Sequence, residues 1–119
     1  MLYSADLASC AALSSLAPET VISTFVDVLT RAGATVVQSV SHNFPTAGLT
    51  CVLVLAESHA ILHTWPETGT VNIDIFSCST RLKSLDAIAE IGRSLGASHV
   101  SIRETPRDDG HGPQIREPA

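Results

Sequence analysis

Charge is scarce in this chain. Only 16% of its 119 residues are Asp, Glu, Lys or Arg, against 45% apolar, and the net charge is −5. Such a composition argues against disorder over most of the length. The missing basic excess argues against a nucleic-acid groove, so no nucleic acid is expected as a partner. No apolar run approaches a membrane span, and Met1-Leu2-Tyr3-Ser4-Ala5-Asp6 lacks the basic start of a signal peptide. No membrane partner is therefore expected. Cysteine is limited to Cys10, Cys51 and Cys78, an odd set with no CxxC spacing. That excludes a disulfide scaffold and fits a reducing, cytoplasmic setting. A G-x-S-x-G nucleophile elbow is absent as well.

What remains is patterned. Leu2 to Ala8 alternates loosely as a short strand, and Pro18 suits a first helical turn. Val21, Ile22, Phe25, Val28 and Leu29 recur at three and four, the spacing of one helical face, with Gly33 as the stop. Ala34 to Val40 reads as a second strand, followed by a connection bracketed by Asn43, Pro45 and Gly48 that holds Phe44. Leu49 to Ala56 reads as a buried strand, His59 to Thr64 as a short one ended by Pro66, and Thr70 to Ser77 as an alternating one. In the last, Val71, Ile73 and Ile75 face one way, and Asn72, Asp74, Phe76 and Cys78 the other. A second amphipathic helix runs over Leu82, Leu85, Ile88, Ala89 and Leu95, with Ser79 or Thr80 as its cap and Gly96 as its stop. Ser98 to Glu104 is a last strand. The order predicts an α+β two-layer sandwich, an antiparallel β-sheet with two helices packed on one face. One domain is expected over 1–104, with 105–119 as a mobile C-terminal tail.

The chemistry concentrates at Ala56-Glu57-Ser58-His59-Ala60-Ile61-Leu62-His63-Thr64-Trp65-Pro66-Glu67. Twelve residues carry two carboxylates, two imidazoles, a Ser hydroxyl and the sole Trp beside an apolar strand, where polar groups need partners. His59-x-x-x-His63 has the spacing of two metal ligands on a helix, but Pro66 and the strand-like surroundings oppose a helix. Ser58 and His63, five apart, fall on opposite faces of a regular strand and meet only if the chain bends. Strand parity counted from Thr50 to Ser58 puts those two on one side if the strand stays regular. From the residues alone, hydrogen-bonded strand histidines, an inert Cys78 thiol and an Asn72–Asp74 structural pair are the favoured account of the pattern.

Glu57-Ser58-His59-x-x-x-His63-Thr64-Trp65-Pro66-Glu67, followed by Asp74-Ile75-Phe76-Ser77-Cys78 and preceded by His42-x-Phe44 and Gly48, resembles the short prokaryotic S-adenosylmethionine decarboxylase proenzyme family. The resemblance spans roughly Leu2 to Glu104. It implies that Ser58 attacks the carbonyl of Glu57, cutting the chain between 57 and 58 and leaving a self-generated pyruvoyl group, with no metal, that forms a Schiff base with substrate. It further implies His63 as the base in self-processing, Thr50 assisting at the oxyanion, and Cys78 as proton donor in decarboxylation. Phe44, Trp65 and Glu67 are implied to bind S-adenosylmethionine, Phe44 on adenine and Glu67 on the ribose hydroxyls, in a homodimer of cleaved protomers that serves polyamine synthesis. A pyruvoyl carbonyl suits decarboxylation because it takes up the electrons the leaving carboxylate releases. The chain departs from the family at Thr50, where serine is usual, at Thr68 and Thr70, where aromatics are common, and at Ser79, where glycine often stands. Same-scaffold decarboxylation of arginine or ornithine, or an uncleaved non-catalytic homologue, are the alternative expectations.

Overall fold

The computed structural model describes residues 1–56, 58–79, 81–108 and 110. Among them the chain forms β1 (Leu2–Ala8), a 3-10 turn (Leu13–Ser15), α1 (Pro18–Arg31), β2 (Val36–Asn43), β3 (Leu49–Leu55), β4 (Ser58–Trp65), β5 (Thr70–Ser77), α2 (Ser84–Leu95) and β6 (His99–Thr105). The strands make one sheet in the order β2-β3-β4-β5-β1-β6, antiparallel at every pairing. Hairpins join β2 through β5. The two helical connections, β1 to β2 and β5 to β6, each join strands that run in the same direction. They leave from antiparallel strands and move across the sheet in opposite senses. A right-handed crossover in each case puts both helices on the same face. One core lies there: α1 packs over β2 and β3, α2 over β1, and the helices touch each other.

Helix α1 buries Val21, Phe25, Val28 and Leu29, as the spacing predicts, and Pro18 occupies its first turn. Complete burial of a side chain such as Phe25 stabilises by about 1.5–3 kcal/mol. After Ala32 the chain turns at Gly33 with φ +113°, and a Cβ there would lie 2.5 Å from the carbonyl oxygen of Arg81. Both the backbone angle and the close approach require glycine. Arg31 of α1 pairs with Glu90 of α2.

Two boundaries differ from the sequence reading by more than two residues. Strand β2 continues to Asn43, because Ser41, His42 and Asn43 pair with Cys51, Thr50 and Leu49. Helix α2 starts at Ser84, with Lys83 at the cap position and no side-chain cap bond. Ser79 is not a helix cap: its Oγ accepts the Arg81 N–H in a local turn, and Thr80 lies outside the described residues. Of the expected face, Leu85 lies at the surface, 45% exposed, and Ala89 is half-buried; Ala87, Ile88, Ile91 and Leu95 make the buried face. Residues 109 and 111–119 of the expected tail also lie outside the described set.

Candidate active site

The face of the sheet away from the helices is built from registered rows. Antiparallel partners share a face, so the pairings set His42, Thr50, His63, Asn72, Asp6 and Ser101 side by side across all six strands. The next row is Val40, Val52, Ile61, Asp74 and Ser4, and the one beyond it runs Gln38, Val54, His59, Phe76 and Leu2. Four large apolar side chains on this side are exposed: Val40, Phe44, Val54 and Trp65 at 52, 38, 39 and 45%.

Thr50 and His63 are cross-strand partners, and Thr50 Oγ1 lies 2.6 Å from His63 Nδ1. This bond leaves Nε2 as the imidazole nitrogen available for proton transfer. Two aromatic rings pack on the same imidazole in T-shaped contacts, Trp65 at 4.4 Å and Phe44 at 5.7 Å between centroids, with His42 in turn 4.7 Å from Phe44. Phe44 starts the β2–β3 turn, where its N–H donates to the Gly48 carbonyl. Phe44, Thr46, Gly48, His63, Thr64, Trp65 and Glu67 line a hollow of about 280 Å³. The structure thus brings together five of the residues singled out from sequence: Phe44, Thr50, His63, Trp65 and Glu67.

Ser58 is not among them. Strand β3 ends at Leu55 and β4 begins at Ser58, and these two residues pair. Ser58 therefore shares the face of Leu55, Ala60 and Leu62, which is the core side. The parity count from Thr50 fails because the strand does not stay regular through Ala56; a tight hairpin connection intervenes. Glu57 lies outside the described residues. Strand β4 is regular from Ser58 to Trp65, so Ser58 and His63 stay on opposite faces. The Ser58 Oγ is buried and finds no hydrogen-bond partner among the described residues. It borders a cavity of about 40 Å³ lined by Gly33, Thr35, Leu55, Ser77, Arg81 and Leu82, among others.

Cys78 follows the end of β5 directly and is half-buried. Its neighbour Ser77 is the cross-strand partner of Ser58, which sets Cys78 beside Ser58 rather than beside His63. The other two thiols, Cys10 and Cys51, are buried, and burial raises both above the usual thiol range. His59 and His63 share the open face four residues apart, about 13 Å along a strand, too far for one ion. Among the described residues no three His, Cys, Asp or Glu side chains group as a metal site.

One polar chain escaped the sequence reading. Asn72 does not pair with Asp74. Its Nδ2 donates to Asp6 Oδ1 at 2.7 Å, and its Oδ1 accepts from Trp65 Nε1 at 2.7 Å. Alternation placed Asn72 on the polar face of β5, but no local signal shows that β1 inserts beside β5 and supplies Asp6. Asp6 also lies 3.7 Å from Arg103, a largely exposed pair that contributes little.

Residues 2–108 match the sequence profile of a family described as S-adenosylmethionine decarboxylase. Two of the most similar curated proteins are S-adenosylmethionine decarboxylase proenzymes. The one from Pelotomaculum thermopropionicum is 37% identical over 82 residues, 69% of this chain and 65% of that protein. The one from Methanococcus maripaludis is 38% identical over 88 residues, 71% of this chain and 72% of that protein. Among solved structures, the adenosylmethionine decarboxylase from Aquifex aeolicus is similar at a TM-score of 0.74 and 25% identity, over 95% of both chains.

Proposed function

The chain belongs to the S-adenosylmethionine decarboxylase family, and we propose that it cleaves itself between Glu57 and Ser58 and then decarboxylates S-adenosylmethionine for polyamine synthesis. The observation that carries the reading is the Ser58 hydroxyl, buried, unpartnered among the described residues and next to a small cavity. An orphaned buried hydroxyl costs stability whatever its role, and a serine Oγ can close a five-membered ring on the carbonyl carbon of the residue before it. Addition of Oγ to that carbonyl and departure of the Ser58 nitrogen convert the peptide to an ester. Loss of the Ser58 Cα proton then expels the Glu57 carboxylate. Water replaces the nitrogen as ammonia, and residue 58 becomes a pyruvoyl group. That group supplies an electron sink for the bond that breaks when carbon dioxide leaves.

The base for the Cα proton cannot be His63 of the same copy. Five residues of extended strand separate them by about 16–17 Å. Their side chains also point to opposite faces. The tetrahedral Cα directs its hydrogen away from Cβ, so the Ser58 proton leans toward the open face while Oγ attacks from the core side. A second copy laid face to face on this sheet covers Val40, Val54, Phe44 and Trp65 and offers its own Thr50–His63 pair across the seam. The reading therefore includes a homodimer with shared sites, in which Cys78 stays with Ser58 and His63 arrives from the partner.

The hollow beside His63 suits the nucleoside. Phe44 and Trp65 offer aromatic surface for adenine and for a sulfonium cation. The Glu67 carboxylate accepts from both ribose hydroxyls. A reducing cytoplasm suits the buried thiols. The test is incubation of purified protein with carboxyl-labelled S-adenosylmethionine, with collection of labelled carbon dioxide and the intact mass of the chain. Release accompanied by pieces 1–57 and 58–119 supports the proposal. An intact chain with unmodified Ser58, or release from arginine or ornithine in place of S-adenosylmethionine, refutes it.

A further inference from the structure

The geometry assigns a positioning role to Asn72, with Asp6 fixing which way its amide points: together they lock the Trp65 indole as a wall of the nucleoside hollow. The inference rests on the reading of that hollow given above. In a single copy Trp65 is 45% exposed on the open sheet face, and before a second copy covers that face a large ring on one strand has several rotamers open to it. Something must select one. Its Nε1–H is a donor only, and Asn72 Oδ1 accepts it at 2.7 Å. An amide by itself can turn either end toward the indole. Asp6 removes that freedom, because a carboxylate only accepts. With Nδ2 committed to Asp6 Oδ1 at 2.7 Å, Oδ1 is the end that faces Trp65. Three residues on three adjacent strands, β1, β5 and β4, thus form a directional chain of hydrogen bonds. Its last member packs with its ring centroid 4.4 Å from that of His63, and the same imidazole is tied to Thr50. Trp65 lines the hollow with Phe44 and Glu67. Asn72 touches none of the reacting atoms, so it acts through the ring.

The sole Trp makes the indole a clean optical probe. Four forms of the purified full chain suffice: wild type, Asn72→Val, Asn72→Asp, and Asp6→Asn with Asn72→Asp. Emission, anisotropy and acrylamide quenching are read on each, followed by KM and kcat for S-adenosylmethionine. Asn72→Val is expected to lower anisotropy, raise quenching, and raise KM about 3- to 10-fold, the size of one net hydrogen bond, with kcat within about twofold. Asn72→Asp keeps the acceptor for Trp65 but sets two carboxylates against each other, and is expected to loosen the indole likewise. The double variant restores a donor facing an acceptor at unchanged net charge, and is expected to return the optical values to wild type. Should Asn72→Val fail to fold, the Asp pair decides alone, since it changes side-chain volume little. Indole signals in Asn72→Val that match wild type, or a double variant no better than Asn72→Asp, overturn the assignment. The optical response needs no turnover. Its presence in a protein that leaves S-adenosylmethionine intact supports the relay and overturns the functional reading alone.

Discussion

Ser58 and His63 stand five residues apart on one regular strand and point to opposite faces of the sheet. With Ser58 as the proposed nucleophile on the core side and His63 as the proposed base on the open side, the two cannot serve one chain in one copy. The arrangement therefore predicts complementation. Ser58→Ala alone stays intact. His63→Ala alone stalls at the ester, which hydroxylamine splits. Unfolded together and refolded as a mixture, the two variants form some sites with Ser58 from one copy and His63 from the other. Those sites are expected to yield the 1–57 and 58–119 pieces, all from the His63→Ala chain, as mass spectrometry can tell. A mixture that cleaves no more than its parts would place the base within the same copy.

The Thr50 hydroxyl is 2.6 Å from His63 Nδ1. Thr50→Val keeps the β-branched shape and removes the bond, whereas Thr50→Ser keeps the bond. Loss of one hydrogen bond of about 0.5–1.5 kcal/mol predicts self-cleavage slower by about 2- to 10-fold in Thr50→Val. Thr50→Ser should process near the wild-type rate. Time courses of cleavage, followed by gel from the moment of refolding, check the pair. Equal rates in Thr50→Val and wild type would leave Thr50 as a strand residue only.

Phe44 and Glu67 meet in the hollow beside His63, and neither approaches Ser58 in the sheet register. Their loss should therefore act on substrate and spare self-cleavage. Phe44→Ala removes a stacking face of about 0.5–1.5 kcal/mol and predicts KM raised by about 2- to 10-fold. Glu67→Gln leaves one acceptor oxygen where two were and predicts a further rise in KM, with adenosine inhibition weakened in parallel. Inhibition by adenosine that is unchanged in both variants would remove the nucleoside from this hollow.

Much of this was legible because periodicity reports burial. The spacing of Val21, Phe25, Val28 and Leu29 gave one helix face, and the alternation of Val71, Ile73 and Ile75 gave the core side of β5. What was hidden depends on the partners of a residue rather than on its neighbours in the chain. The side of the sheet that Ser58 faces is set by its pairing with Leu55 across a hairpin, so a parity count through Ala56 misassigns it. The Asp6–Asn72–Trp65 chain depends on β1 inserting next to β5, a choice made by the whole sheet. The start of α2 was misplaced for a local reason: Ser79 spends its hydroxyl on the turn at Arg81, so the helix begins later without a side-chain cap.

On the proposed function, Cys78 is expected to separate the two chemical stages. It follows Ser77, the cross-strand partner of Ser58, and is half-buried, whereas Cys10 and Cys51 are buried with thiols raised above the usual range. A raised thiol holds less thiolate at a given pH, and burial blocks reagent, so brief iodoacetamide treatment near pH 8 should label Cys78 first. Self-cleavage as proposed uses the Ser58 hydroxyl and an imidazole base, not an acid at this position. Decarboxylation leaves a carbon of the substrate to be protonated, and a thiol beside residue 58 is placed to do it. Cys78→Ala is therefore expected to cleave, more slowly, and to lose most turnover. Without an acid over the substrate carbon, the proton is expected on the α-carbon of residue 58; water then hydrolyses the resulting imine, the substrate carbons leave as an aldehyde, and the 58–119 piece acquires an N-terminal alanine where it had a blocked end. N-terminal sequencing after exposure to S-adenosylmethionine reads that change directly. Near-normal turnover by cleaved Cys78→Ala, with the end still blocked, would remove Cys78 from the mechanism.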